Sequence, residues 1–169
     1  MTFAMLLLAL VTLSRAGELL LARRNTARLL ARGAVEVGAA HYPAIVALHA
    51  AWLLALWVYG AFQPVNLVWL AVFLVLQAGR IWTLATLGAR WTTRILVVPG
   101  ETLVRRGPYR FISHPNYMIV VGEIAVLPLA LSLPLVALVF TVLNALVLTV
   151  RIRAESRALQ QVSAGHGAL

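Results

Sequence analysis

Cysteine, lysine and aspartate are all missing from this chain of 169 residues. Without a thiol there is no disulfide framework, no thiolate metal site and no cysteine nucleophile, so any chemistry must come from oxygen and nitrogen groups. Charge is scarce: 11% of residues are charged and 62% are hydrophobic, whereas soluble domains have about a quarter of their residues charged. Such a chain belongs in lipid. The histidines, His41, His49, His114 and His166, lack ligand spacing and have no aspartate to join them, so no metal site is expected. There is no strand-Gly-x-Gly-helix unit, which excludes the soluble dinucleotide-type design. No internal repeat stands out.

What charge there is comes from fourteen basic residues, every one an arginine, and five acids, every one a glutamate, for a net charge of +9. A nucleic-acid partner is not expected, because the arginines sit in short stretches between apolar runs and not on an aromatic-studded soluble face. Membrane topology accounts for them better. Apolar runs long enough to cross about 30 Å of hydrocarbon occur near residues 2–22, 43–60 and 66–87. A fourth block, from Met118 to Val150, is broken at Leu131-Ser132-Leu133-Pro134 and reads as two short antiparallel helices joined by a tight turn. The expectation is an all-α membrane bundle of about five spans, as one domain over residues 1–169: N-terminal spans in 1–65 and a core in 66–169.

The arginines check this count, since one side of a membrane should hold them. Arg23, Arg24, Arg28 and Arg32 follow the first span, Arg90, Arg94, Arg105, Arg106 and Arg110 the third, and Arg151, Arg153 and Arg157 the fifth. The intervening turns carry no charge. That alternation predicts an outside N-terminus and a cytoplasmic C-terminus in a bacterial inner membrane. Ser14-Arg15-Ala16 loosely fits a leader cleavage site, but no basic region precedes the apolar run, so the run is read as a span. The tail, residues 163–169, reads as frayed.

The longest stretch between spans, residues 88–116, is richer than a connector requires: Arg90-Trp91-Thr92-Thr93-Arg94, Pro99-Gly100-Glu101-Thr102-Leu103-Val104, Gly107-Pro108-Tyr109-Arg110 and His114-Pro115-Asn116-Tyr117. Long ordered loops tend to be functional. Ile95-Leu96-Val97-Val98 before the Pro99-Gly100 turn suggests a short extended segment, and His114-Pro115 fits a helix start with proline in the first turn. Free N–H groups and the helix dipole at such a start favour a carboxylate. A bland alternative is a basic, aromatic interfacial anchor. At the end of the last span, Arg151 and Glu155 are i,i+4 and share a helix face; alone they read as a snorkelling arginine with a surface pair.

Taken together, Glu101-Thr102-Leu103-Val104, two basic residues, Gly107-Pro108-Tyr109-Arg110-Phe111, His114-Pro115-Asn116-Tyr117, a helical hairpin and Arg151-xxx-Glu155 resemble the C-terminal signature of the isoprenylcysteine carboxyl methyltransferases and their phospholipid methyltransferase relatives. The resemblance covers about residues 80–160. It implies S-adenosyl-L-methionine as cofactor in a cytosolic loop at residues 88–117. The implied contacts are the main chain of Glu101, Thr102, Leu103 and Val104, the ring of Tyr109, and His114, Pro115, Asn116 and Tyr117. It implies catalytic roles for Arg151 and Glu155, with Arg151 holding the acceptor. The chain departs from the pattern at Ser113, usually arginine, and Ser156, usually acidic. Arg32-Gly33-Ala34-Val35-Glu36 and His41-Tyr42-Pro43 look more like a bacterial branch associated with alkylpyrones.

The resemblance thus implies methyl transfer to a lipophilic or prenylated acceptor, with membrane lipid as surroundings: an isoprenylcysteine carboxylate, or alternatively an alkylpyrone or alkylresorcinol hydroxyl. A carboxylate is already ionised at neutral pH and needs no base; a simple phenol would ask for one, with His114 or Glu155 as candidates. An NADPH-dependent membrane reductase with a similar hairpin and a non-enzymatic membrane scaffold are the readings from other classes. The oligomeric state is not legible. Arg80, with Gln77 and Thr83, makes a polar stripe on the third span that pairs with Glu123 or lines the cofactor cavity. Arg15 and Glu18 read as a local pair, and His49 as an interhelical hydrogen-bonding residue.

Overall fold

The computed structural model describes residues 2–101 and 104–166, with side chains described as far as Ala154. Five helices alternate in direction: α1 (Phe3–Ala31), α2 (Tyr42–Gly60), α3 (Leu67–Leu87), α4 (Pro115–Ala130) and α5 (Pro134–His166). Four of them are long and apolar enough to cross a membrane, while α4, with 16 residues, is shorter. At 1.5 Å per residue it reaches about 24 Å, under the hydrocarbon thickness. The turn at Leu131-Ser132-Leu133-Pro134 is where the sequence put it. Ser132 takes a positive φ of 58°, and the Leu133 N–H donates back to Pro128 O at 2.8 Å. The second arm is not short, however: α5 has 33 residues and continues through His166, so residues 163–166 of the tail expected to fray are helical; residues 167–169 lie outside the described ones.

Local chemistry sets the ends of the helices. The Thr2 hydroxyl caps α1 by accepting from Met5 N–H at 3.1 Å. The same helix runs well past the expected end at residue 22 and stops at Gly33. There φ is +84°, and the N–H groups of Gly33 and Ala34 return to Leu30 O and Leu29 O, both at 3.0 Å, in a Schellman closure. The side chain of Asn66 caps α3, and Pro115 opens α4 at its first position. The extended segment predicted near residue 95 is real, as β2 (Ile95–Val97). Its antiparallel partner, β1 (Val35–Val37), was not foreseen.

The two ends of the bundle differ in kind. At one end the neutral turns meet, with Asn66 N–H donating to Ala130 O at 2.8 Å and Ser132 Oγ to Pro64 O at 3.3 Å. At the other, arginine-bearing segments meet: Arg94 bonds Glu36 at 2.7 Å across the ribbon, and Glu101 is held by Arg32 and, at 2.9 Å, by Arg90. The apolar core, with Leu8, Trp52, Leu56, Phe73, Ile124 and Leu127, is joined by a wide apolar outer surface that includes Leu10, Leu54, Val75, Leu138 and Leu146. Apolar residues facing outward along long helices are what lipid-exposed faces require.

Between α1, α3 and α4 lies a buried ionic cluster. Arg80 donates to Glu18 through Nε at 2.8 Å and Nη2 at 2.6 Å, and to Glu123 through Nη1 at 2.8 Å. Gln77 Nε2 donates to Glu123 at 2.6 Å, and Arg15 reaches Glu18 at 3.1 Å and Glu123 at 3.3 Å. Arg15 and Glu18 therefore form more than a local pair: two arginines and two glutamates neutralise one another across three helices. Arg80→Leu strips two buried carboxylates of one of the two arginines they share. It is expected to cost on the order of 3–5 kcal/mol, read as a lowered thermal midpoint in detergent. A variant as stable as the parent would show that Arg80 is dispensable.

Candidate active site

The site gathers where the starts of α2 and α4 and the Arg151 turn of α5 meet the segment before β2. His114 precedes α4 and Tyr117 is in its first turn, so i,i+3 spacing places both rings on one face. They stack with centroids 5.1 Å apart and planes at 14°. From α5, Arg151 Nε donates to the Tyr117 hydroxyl at 2.9 Å and Nη2 to the Thr93 carbonyl at 2.9 Å, with the guanidinium 5.5 Å from the Tyr117 ring centroid. The Thr93 hydroxyl pairs with Tyr42 OH at 2.9 Å. Arg94 lies 4.8 Å from the Tyr42 ring centroid, and its hydrogen bond to Glu36 raises its pKa further above the ordinary arginine value.

Below this lattice an open groove of about 510 Å³ is lined by Ile112, Ser113, His114, Tyr117 and Met118 with Val121 of α4, and by Leu148 and Ile152 of α5. Its walls are mostly apolar, and Met118 and Val121 are also exposed on the outer face. A lipophilic molecule can therefore approach Tyr117 from the side of the bundle. At the same helix start, Asn116 Oδ1 is buried with no hydrogen-bond partner among the described residues. A buried carbonyl oxygen without a donor is costly, and a ligand bearing an ammonium, amino or hydroxyl group would satisfy it. S-adenosylmethionine carries all three, so the residues present fit that cofactor.

Of the residues singled out from the sequence, Arg151, Tyr117 and His114 are brought together, with Pro115 buried and Asn116 beside them. Glu101 lies apart from them in its bonding: its N–H donates to Val98 O at 3.2 Å in the Pro99-Gly100 turn, and its carboxylate ties the loop to Arg32 and Arg90. Val104 and Tyr109 are half-buried. Thr102, Leu103 and the side chain of Glu155 fall outside the described residues, so the pairing of Arg151 with Glu155 does too. Sequence reasoning missed Asn25, whose Nδ2 donates to Gly88 O at 3.1 Å and Trp91 O at 2.9 Å and so fixes the end of α3. A lone asparagine among the arginines that follow the first apolar run was the available signal. The parts played by Thr93 and Tyr42 were likewise not assigned.

The model of the isoprenylcysteine carboxyl methyltransferase (ICMT) family matches residues 69–161, which include this loop and hairpin. That is more than half of the chain, and the chain belongs to this family. It is 43% identical over 164 residues to the uncharacterized protein YpbQ of Bacillus subtilis (strain 168), covering 94% of this chain and 97% of the relative. It is 24% identical over 168 residues to an uncharacterized protein of Haemophilus influenzae, covering 96% and 98%. No solved structure matches significantly.

Tyr117→Phe retains the stacked ring and removes only the acceptor of the Arg151 bond. It is expected to lower stability by about 1 kcal/mol in thermal unfolding, and Tyr117→Ala to lower it further; equal midpoints for all three proteins would deny the bond a structural role.

Proposed function

We propose that this protein transfers a methyl group from S-adenosylmethionine to an oxygen of a lipophilic acceptor at the membrane, by family an isoprenylcysteine-type carboxylate. The observation that carries the reading is the placement of Arg151, hydrogen-bonded to Tyr117 at the start of α4, beside a mostly apolar groove that reaches the outer face of the bundle. The hydrophilic cofactor and the lipophilic acceptor approach from different phases, and this is where the two phases meet.

The cofactor, when bound, supplies a methyl group activated by a sulfonium. The chain's own residues bind and orient. The start of α4 offers the positive end of the helix dipole to the cofactor's carboxylate, Asn116 Oδ1 accepts from its polar hydrogens, and the stacked His114 and Tyr117 rings form an aromatic wall. Thr102 and Leu103, with Glu101, Val104 and Tyr109, complete the loop side of this proposal. Arg151 holds an anionic acceptor by charge-assisted hydrogen bonds, and the His114–Tyr117 wall and groove lining exclude water, so that the in-line displacement is governed by positioning. Glu155 balances the cofactor's ammonium. With the arginine-bearing segments facing the cytoplasm, the N-terminus lies outside, in a bacterial inner membrane; the arginine bias and the two bacterial relatives support this.

One observation favours a hydroxyl acceptor of alkylpyrone or alkylresorcinol type: Ser113 lines the groove where the family pattern has arginine, leaving it one cation fewer for a carboxylate.

The test is transfer of radiolabelled methyl from S-adenosylmethionine to S-farnesyl-N-acetylcysteine and to a long-chain alkylresorcinol by detergent-purified protein. Labelled product with either acceptor supports the reading, and none with either in folded protein contradicts it. Arg151→Ala is expected to abolish turnover while S-adenosylhomocysteine still binds, whereas His114→Ala is expected to weaken that binding about tenfold or more, corresponding to roughly 1.4 kcal/mol. Wild-type turnover by Arg151→Ala would remove its assigned role.

A further inference from the structure

Every glutamate whose side chain is described already has its arginine. Glu36 is held by Arg94 and Glu101 by Arg32 and Arg90, while Glu18 and Glu123 belong to the buried cluster. Three arginines in the last third of α1, Arg23, Arg24 and Arg28, are exposed and have no ion pair or hydrogen bond among the described residues. The end of the α1 dipole carries only about half a negative charge. It favours Arg28, in the last turn, without neutralising the group.

Their height in the bundle is fixed by a neighbour in the same turn. Asn25 is buried and donates to Gly88 O and Trp91 O, so this turn of α1 is level with the end of α3 at Leu87, where an apolar span stops. Headgroup layers are about 5–7 Å deep on each side of the hydrocarbon, and Arg24 and Arg28, four residues apart, are about 6 Å apart along the helix axis. Both therefore sit at headgroup height. The same face continues downward at helical spacing: three or four residues before Arg24 come Leu20 and Leu21, then Gly17, then Leu13, all exposed. Gly17 leaves open space where a Cβ would stand. An apolar strip thus runs along the outer face of α1 and ends beneath two unpaired cations.

We propose that this face of α1 is a binding site for a net-anionic phospholipid of phosphatidylglycerol type, its phosphodiester held by Arg24 and Arg28 and an acyl chain lying along Leu20, Gly17 and Leu13. The two free oxygens of a phosphodiester accept from guanidinium donors by charge-assisted hydrogen bonds, and Arg23 adds to the positive field. A phosphatidylethanolamine offers the same phosphate but brings an ammonium into a group of three cations, so the site selects by net charge. The strip of leucines selects for a molecule that carries hydrocarbon directly beneath its phosphate. The site is independent of the methyltransferase reading, since it lies on α1 and uses none of the residues assigned to methyl transfer.

The experiment titrates detergent-purified full-length protein with phosphatidylglycerol and with phosphatidylethanolamine of the same acyl chains, and counts bound lipid by native mass spectrometry. The wild type is expected to bind phosphatidylglycerol about tenfold or more tightly, as two arginines near a lipid surface allow. That preference should fall to within about twofold in the Arg24→Gln/Arg28→Gln double variant, whose thermal midpoint should match the parent because both side chains are exposed. Arg105→Gln/Arg106→Gln removes the same charge from an exposed part of the loop and should keep the preference. Glycerol phosphate, which has the phosphate without the chains, should not compete. No preference in the wild type, or one unchanged in Arg24→Gln/Arg28→Gln, overturns the site. Equal loss in both double variants assigns the preference to diffuse charge and overturns it too, and displacement of the lipid by an equal concentration of glycerol phosphate overturns the lipid as occupant.

Discussion

Arg80 is a guanidinium inside a bundle whose outward faces are hydrocarbon, and it is tolerated there because Glu18 and Glu123 receive it from two other helices. An unpaired charge at that depth would be prohibitively costly, so the helices bearing the partners have to meet at fixed heights. That requirement places α4. This helix has only 16 residues, begins at the site and carries Glu123 less than two turns beyond Tyr117, so the ion pair that anchors it also sets the height of the His114–Tyr117 stack. The rest follows by connection: the tight turn at Ser132 returns the chain as α5, which delivers Arg151 to the Tyr117 hydroxyl and the Thr93 carbonyl.

Polar bonding therefore works here as the adhesive that hydrophobic burial provides in water. In lipid an apolar contact between helices gains little over a contact with an acyl chain, and interfaces draw on close packing and hydrogen bonds. The half of the bundle toward the neutral turns has the close packing, around Leu56, Ile124 and Leu127. The arginine-rich half has the hydrogen bonds, first in the buried cluster, then in the Tyr42–Thr93–Arg151–Tyr117 chain, and last in the ion pairs that pin the β1–β2 ribbon and the Pro99-Gly100 turn. Charge is rare in this sequence, and among the described residues much of it is spent on holding the site's supports in place.

Much of this was legible beforehand. The apolar runs and the Ser132 break marked the helices, the positions of the arginines marked the end at which the site lies, and the ordered short motifs marked Arg151, His114 and Tyr117 as neighbours. Three things were not. The partner strand Val35–Val37 is too short to leave a periodic signal and exists only because the loop folds back on it. The continuation of α1 to Ala31 runs through a polar stretch that hydropathy reads as loop, and its end depends on Gly33 and a closure visible only in three dimensions. The sharing of Arg15, Glu18, Arg80 and Glu123 is a matter of relative helix rotation, which a single sequence does not specify.

The central claim is that the start of α4, faced by Arg151, is a site for S-adenosylmethionine. Calorimetric titration of wild-type protein with S-adenosylhomocysteine, and in parallel with NADPH, tests it most directly. Saturable binding of S-adenosylhomocysteine with no heat from NADPH is the predicted result; binding of NADPH alone, or of neither by well-folded protein, would contradict the account.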